Sequence, residues 1–314
     1  MRHKSFDFIG KLGVVAPLIA LWIFLSLSTD RFLTVFNLNN IAIQFAIIGA
    51  MAIGTTAVII CREIDLSIGA IQGLVAVIAA ILTVQLALPW PVAILMGIAV
   101  GASVGAVSGW FVVTIGMPSF VVTLGVLGVV SGISLTISGG QSIYGFPDAY
   151  QWIGQGRLFG VGIPVLISVA CLCCVQFVLK KTRLGLGFYA VGGNEKASVL
   201  VGVPARRIKF FAFILSGMGA SVAGILVSAR LNAANATFGS LDLLDSIAAV
   251  VIGGVALSGG VGSAVGTAVG GLLIVSIRNG VNLLGVNPFI QQSAIGALIL
   301  VAALLDHLSK RRAS

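Results

Sequence analysis

Charge is what this chain has least of. Of its 314 residues, 9% are charged and 58% are hydrophobic, and the mean hydropathy is +1.14. A soluble domain carries about 25% charged residues, so a water-facing surface cannot be assembled from this composition. Lipid must be the solvent for most of the outside, and the backbone must satisfy its own hydrogen bonds in helices. Histidine is limited to His3 and His307, far from Cys171, Cys173 and Cys174. Those cysteines and Cys61 read as small apolar helix residues, so no metal, disulfide or cofactor site is expected. No phosphate loop of the form G-x-x-x-x-G-K-[ST] occurs: Gly10–Lys11 lacks both the preceding glycine and the following hydroxyl. No apolar run carries an acid clearly at mid-depth, as proton or sodium coupling often requires. Nothing resembles a catalytic triad or a paired-carboxylate site, so the chain is not expected to be an enzyme. Any energy for pumping then enters through a partner.

What is there is a series of apolar runs long enough to cross a bilayer: 13–29, 41–60, 66–87, 91–113, 118–138, 163–179, 210–229, 245–258, 263–283 and 289–305. The first follows Arg2, Lys4 and Lys11 like a signal sequence but lacks a small-x-small cleavage site, so it is expected to stay as a span. The eighth is short enough to be a broken or re-entrant piece.

Net charge is +9. In a soluble protein that would indicate nucleic acid, but here the cations gather at membrane edges and act as topology signals, so no nucleic-acid partner is expected. They cluster at the N-terminus, between the sixth and seventh runs (Lys180, Lys181, Arg183, Lys196, Arg206, Arg207, Lys209) and at Lys310, Arg311 and Arg312. Placing all three clusters inside requires even numbers of crossings before and after the middle loop. The expectation is an all-α polytopic membrane protein of ten helices, both termini cytoplasmic, forming one membrane domain over 1–314 with a cytoplasmic loop at about 180–209.

Glycine is abundant, with 41 residues. Gly97, Gly101, Gly105 and Gly109 recur every four residues in the fourth run, and Gly262, Gly266 and Gly270 do so in the ninth. Such a ladder is a flat helix face for close packing. Similar turns follow each, Gly116-Met-Pro-Ser-Phe120 and Gly285-Val-Asn-Pro-Phe289, at an offset of about 165 to 170 residues. Runs two to five and seven to ten therefore read as repeats, with chance recurrence in a glycine-rich chain as the alternative.

The middle loop holds the most legible element. Gly192 and Gly193 allow a tight turn, Asn194 is a good N-cap, and Glu195 suits a first helical turn before Lys196 and Ala197. Gly202 fits the position just past the helix end, and Pro204 follows as a stop or as the first position of the next helix. A helix of about two turns is unstable alone in water, so it must dock, either on this chain's own membrane ends or on another protein.

Here a family resemblance appears. Ala190-Val-Gly-Gly-Asn-Glu-Lys-Ala197, Val201-Gly-Val-Pro204 and Lys209-Phe-Phe-Ala-Phe213 resemble the cytoplasmic loop of ribose/xylose/arabinose-type ABC transporter permeases. Glu63-Ile-Asp-Leu-Ser-Ile-Gly69, Met117-Pro-Ser-Phe-Val-Val-Thr-Leu-Gly125, Asp245-Ser-Ile-Ala-Ala-Val-Val-Ile-Gly-Gly254 and Asn279-Gly-Val-Asn-Leu-Leu-Gly285 continue the likeness, in order, over most of the chain. Arg62-Glu63 departs from the family's usual Gly-Gly. The resemblance implies a permease subunit in the bacterial inner membrane, working as a dimer with a second copy or a sister permease. It also implies a cytoplasmic ABC ATPase subunit and a periplasmic solute-binding protein as partners. Gly192, Gly193, Asn194, Glu195, Lys196, Ala197 and Gly202 would form the ATPase contact.

Other polar residues carry two readings each. Arg62, Glu63 and Asp65 form either a solvated turn with an internal ion pair, Asp65 capping the third helix, or a gate or ATPase contact. Asp242 and Asp245 either cap the eighth helix or dock the external binding protein. Arg278, with Ser276, Asn279 and Asn282, is either a snorkelling anchor or the lining of a polar-solute path. Gln44, Gln72, Gln85, Thr123, Ser131, Thr136, Gln291 and Gln292 either bond between helices or face a pore. A self-contained secondary transporter or channel is the rival to the ATP-driven reading.

Overall fold

A computed structural model describes residues 3–285 and the isolated positions 293, 296 and 297. The tenth expected span, with Gln291, Gln292 and the cations Lys310, Arg311 and Arg312, lies outside the described residues, as does Arg2.

The chain opens with helix α1 (His3–Ser28). Thr34 then starts α2 (Val35–Ile60) by accepting the Asn37 amide. Helix α3 (Ile68–Ala80) and helix α4 (Trp90–Trp110) each finish in a π-helical turn, Ile81–Gln85 and Phe111–Ile115. Gly116, at φ 81, closes the second of these, and α5 (Ser119–Ser138) follows after Pro118. The connection after α5 carries strand β1 (Ile143–Tyr144), helix α6 (Asp148–Gln155) and the hairpin of β2 (Arg157–Leu158) and β3 (Val161–Gly162). Then come α7 (Ile163–Lys181), α8 (Arg183–Gly193), α9 (Glu195–Leu200) and α10 (Ala205–Leu231). Strand β4 (Ala233–Ala234) pairs with β1, and α11 (Asp242–Ile252) and α12 (Ala264–Leu283) complete the described fold. Among the described residues, α2, α5, α7, α10, α12 and the two π-extended helices are each long and apolar enough to cross a membrane. The protein is a polytopic, all-helical membrane protein.

Helix α10 is the hub. In lipid, burying apolar side chains gives no advantage over leaving them outside, so helices associate through close packing and hydrogen bonds. The glycines supply that closeness. A Cβ on Gly54 of α2 would lie 2.9 Å from the Cα of Gly219 on α10, and the reverse holds for Gly219. The expected ladder on α4 packs the same way: side chains at Gly101 and Gly105 would run into the main chain of α10 at Gly217 and Phe213. The second ladder seats Gly266 and Gly270 of α12 against Gly253 and Ala249 of α11. Buried hydroxyls add bonds between the same elements. Thr55 lies 3.3 Å from Ser216, and Thr56 lies 2.9 Å from Thr267.

The structure sharpens two sequence expectations. The eighth run, read as short enough to be a broken piece, is helical only over 245–252, the end of the eleven-residue α11, because Gly253 and Gly254 stop it. Eleven residues rise about 16 Å, roughly half of a hydrocarbon core. The non-helical stretch 235–241 before it lies against α3, with Ala236 beside Gly73 and Gly239 beside Gly69. Irregular backbone inside a bundle is tolerated where protein surrounds it. The second change is in the middle loop, which holds a helix, α8, before the expected one. Gly192 and Gly193 form its last turn instead of a tight turn.

The glycine contacts give a direct test. Gly101→Ala should cost about 1–3 kcal/mol through overpacking against α10. Gly125→Ala on α5, where a Cβ meets nothing within 4 Å, should be neutral. Thermal unfolding in detergent reads both, and equal midpoints would refute the contact.

Candidate functional site

The residues expected to meet an ATPase lie together at one end of the bundle. Thr182 caps α8 by accepting the Gly185 amide, and the glycines of α8 let it lie close on its neighbours. A side chain at Gly192 would collide with the Ile60 carbonyl at the end of α2, and one at Gly187 with Ile208 of α10. Asn194 then caps α9, its Oδ1 accepting from the Ala197 amide at 3.0 Å. Gly202, at φ 85, turns the chain out of α9 toward α10. Ser198 faces inward, while Val199, Leu200 and Val201 are 56%, 87% and 79% exposed. The expected set thus splits by role: Gly192 is a packing contact, whereas Gly193, Glu195, Lys196 and Ala197 are exposed around α9.

The turn between α2 and α3 comes to the same place. Glu63 does not pair with Arg62, as an isolated turn would have it. Instead, Lys209 of α10 sits 2.7 Å from both Glu63 and Glu195. One cation thereby ties the membrane turn, the long central helix and α9 together. Sequence reasoning used Lys209 as a topology charge and as part of a family motif, not as an ion-pair partner. A lysine one turn into an apolar helix was the available signal, and its two acids, in the α2–α3 turn and at the start of α9, are not aligned by spacing alone. Arg62 holds a left-handed backbone, φ 64, so the turn takes a glycine-type conformation with an arginine in place.

Asp65 is fully buried, not solvated. It does not cap α3: it accepts from the Ser67 amide at 3.0 Å and the Ser67 hydroxyl at 2.6 Å, in the turn just before the helix. Burial pushes its carboxyl above the ordinary range, against those bonds from Ser67. The turn is tied to α5 as well, since Ser119 accepts from the Ile64 amide and Thr123 donates to the Ile64 carbonyl. Burial likewise pushes the nearby Cys61 thiol up to about 12, which makes it a packing residue with no thiolate character.

A second polar group lies inside the bundle. Arg278 of α12 is not a lipid-edge anchor: it meets Asp245 at 2.5 Å and Asp242 at 3.5 Å, in the first turn of α11. Gln72 of α3 donates to Asp242 at 3.0 Å, so this glutamine bonds between helices. Both acids sit in the first turn of α11, held between Gln72 of α3 and Arg278 of α12. Asn279 is buried in a reciprocal amide pair with Asn37 of α2, at 2.6 and 2.9 Å. Ser276 accepts from the Trp22 indole at 2.9 Å. Three neighbouring polar positions of α12 thus each hold a different helix. Asn282 is exposed and separate from this group.

Removing one member of a buried ion group leaves an uncompensated charge, at a cost of about 3–5 kcal/mol. Arg278→Met should therefore lower the thermal midpoint sharply, and adding Asp242→Asn and Asp245→Asn should recover much of it. A single substitution that melts like the parent would show that the group carries no part of the fold.

Comparison with known proteins fits this arrangement. Residues 37–303 match the family described as the branched-chain amino acid transport system / permease component. The chain is similar to the ribose import permease protein RbsC of Escherichia coli (strain K12), 38% identical over 299 residues, covering 94% of this chain and 92% of that one. It is 39% identical to RbsC of Bacillus subtilis (strain 168) over 310 residues, covering 97% and 96%. It is 32% identical to the xylose transport system permease protein XylH of Escherichia coli (strain K12) over 361 aligned positions, covering 95% and 92%. No solved structure matches. With the family's span running from the start of α2 past the end of α12, this chain belongs to the branched-chain amino acid transport system / permease component family.

Proposed function

We infer that this chain is the membrane-spanning permease subunit of an ATP-binding-cassette importer for a small sugar, in the bacterial inner membrane. The family description speaks of amino acids, but the relatives that match over more than nine-tenths of both chains are ribose and xylose permeases, so a pentose is the favoured cargo. The single observation that carries the ATP-driven reading is α9, a capped helix of six residues whose outward tip is apolar and exposed. Helices this short do not persist unaided, and an exposed Val-Leu-Val tip needs a cover. A cytoplasmic ATPase subunit is that cover. A periplasmic binding protein delivers the sugar at the opposite end, where α6 and the two small sheets lie.

Around this site we place ten crossings, with both termini cytoplasmic, in a single permease domain over 1–314. A repeat of the second to fifth spans in the seventh to tenth is supported by spacing. Gly219 follows Gly54 by 165 positions, the same separation as Gly262 from Gly97, Gly266 from Gly101 and Gly270 from Gly105. Equivalent residues that touch each other, as Gly54 and Gly219 do, are expected on a pseudo-two-fold axis. A second permease copy has a surface available on α5, where Gly125, Gly128 and Gly132 share one exposed face. Within this reading Glu63, through Lys209, carries motion from α9 to the membrane turn and to Asp65. Arg278 and Asn279 position the interior helices, and Asn282 borders the path. The rival reading, a self-contained secondary transporter, gains support from the interior acids Asp242 and Asp245.

Leu200→Asp tests the choice. The variant should unfold at the parent's temperature, lose the co-purifying ATPase and lose sugar uptake. Retention of both would defeat the ATP-driven assignment.

A further inference from the structure

Among the described residues, Arg62 forms no ion pair, although it adjoins two acids: Glu63 and Glu195 are both held by Lys209. Its backbone is left-handed, φ 64, a conformation that glycine takes freely and a long side chain rarely adopts. Its aliphatic stem lies over the Cα of Gly259, where any Cβ would collide with it, so the side chain has a fixed direction. That direction leads into a groove of about 770 Å³ beside α9. Lys196 adds a second cation to the groove, so Arg62 and Lys196 outnumber Glu195, which shares Lys209 with Glu63, and Val199 and Leu200 form an apolar wall. A sparsely populated backbone that presents an unpaired guanidinium to an open groove is a feature of binding sites, not of a fold seeking stability.

We propose that Arg62 is a second docking point for the ATPase: its guanidinium receives a carboxylate of that partner while the apolar tip of α9 enters an apolar pocket. The proposal rests on the reading that a cytoplasmic ATPase docks at α9, and it adds a charge requirement that selects the matching ATPase. Arginine suits the task because its planar fork binds a carboxylate through two parallel hydrogen bonds. The groove wall of α9 favours a protein occupant over an anionic lipid headgroup, because Leu200 at 87% exposure needs an apolar partner beside the charged one.

The test uses the permease in nanodiscs of phosphatidylcholine, with and without phosphatidylglycerol, titrated with the purified ATPase subunit of the same importer across a salt series. Arg62→Gly and Arg62→Asn both suit a left-handed backbone and should unfold at the parent's temperature. Each should bind the ATPase about tenfold more weakly in both lipids, with a shallower salt dependence. Parental affinity in these variants, or a loss confined to the phosphatidylglycerol discs, would overturn the proposal. If Leu200→Asp weakens binding and Arg62→Gly does not, docking at α9 stands and the Arg62 contact is removed. If the parent binds no ATPase at all, both fall.

Discussion

Two helices in lipid gain little by hiding apolar side chains from each other, so α10 holds α2 and α4 by bringing main chain against main chain. Gly54 against Gly219, and Gly101 against Gly217, leave no room for a Cβ. Everything else in the bundle is placed relative to this contact. Thr55 and Thr56, next to Gly54, then reach Ser216 and Thr267, so one stretch of α2 fixes both α10 and α12. At its two ends α10 carries the remaining fastenings. Lys209 sits one turn from its start, and Ser228 near its end meets the hydroxyl of Tyr150, which stacks on Phe146 at 4.5 Å.

The few charges are used sparingly and for different purposes. In a chain that is 9% charged, two groups of interior charges are paired, Arg278 with Asp245 and Asp242 and Lys209 with Glu63 and Glu195, while the buried Asp65 is held by Ser67 alone. Charge groups inside a membrane protein cost desolvation energy that apolar packing would not. Their return is position. The Arg278 group ties the first turn of the short α11 to α12, and Gln72 ties it to α3. The Lys209 group joins an exposed six-residue helix to the turn that leads into α3. In the proposed reading, a push on α9 reaches Glu63 through the two ion pairs of Lys209, and Asp65 two residues later.

Much of this was legible in the sequence where the signal is local. Hydrophobic runs gave the long helices, four-residue glycine spacing gave the packing faces of α4 and α12, and Asn194 with Gly202 gave both ends of α9. What failed was non-local. The run 245–258 was legible as short, but hydropathy does not reveal that residues 235–241 enter the bundle against Gly69 and Gly73. Helix α8 was hidden because Gly185, Gly187, Gly192 and Gly193 lower helix propensity, yet three of them serve close approach to α7, α10 and α2. The partners of Glu63 and Arg278 lie 146 and 33 or more positions away in the sequence, beyond the reach of any spacing rule.

In the proposed function, the exposed end at α9 is where work enters a frame fixed by glycine contacts and ion groups. The sequence itself holds no phosphate loop. The most direct measurement is uptake of labelled ribose and xylose into proteoliposomes. These would contain this chain alone, or this chain with its ATPase, enclosed MgATP and external binding protein. Accumulation is expected only in the complete system, and only while ATP is hydrolysed. Accumulation by the chain alone under a proton or sodium gradient would contradict an engine that resides in a partner.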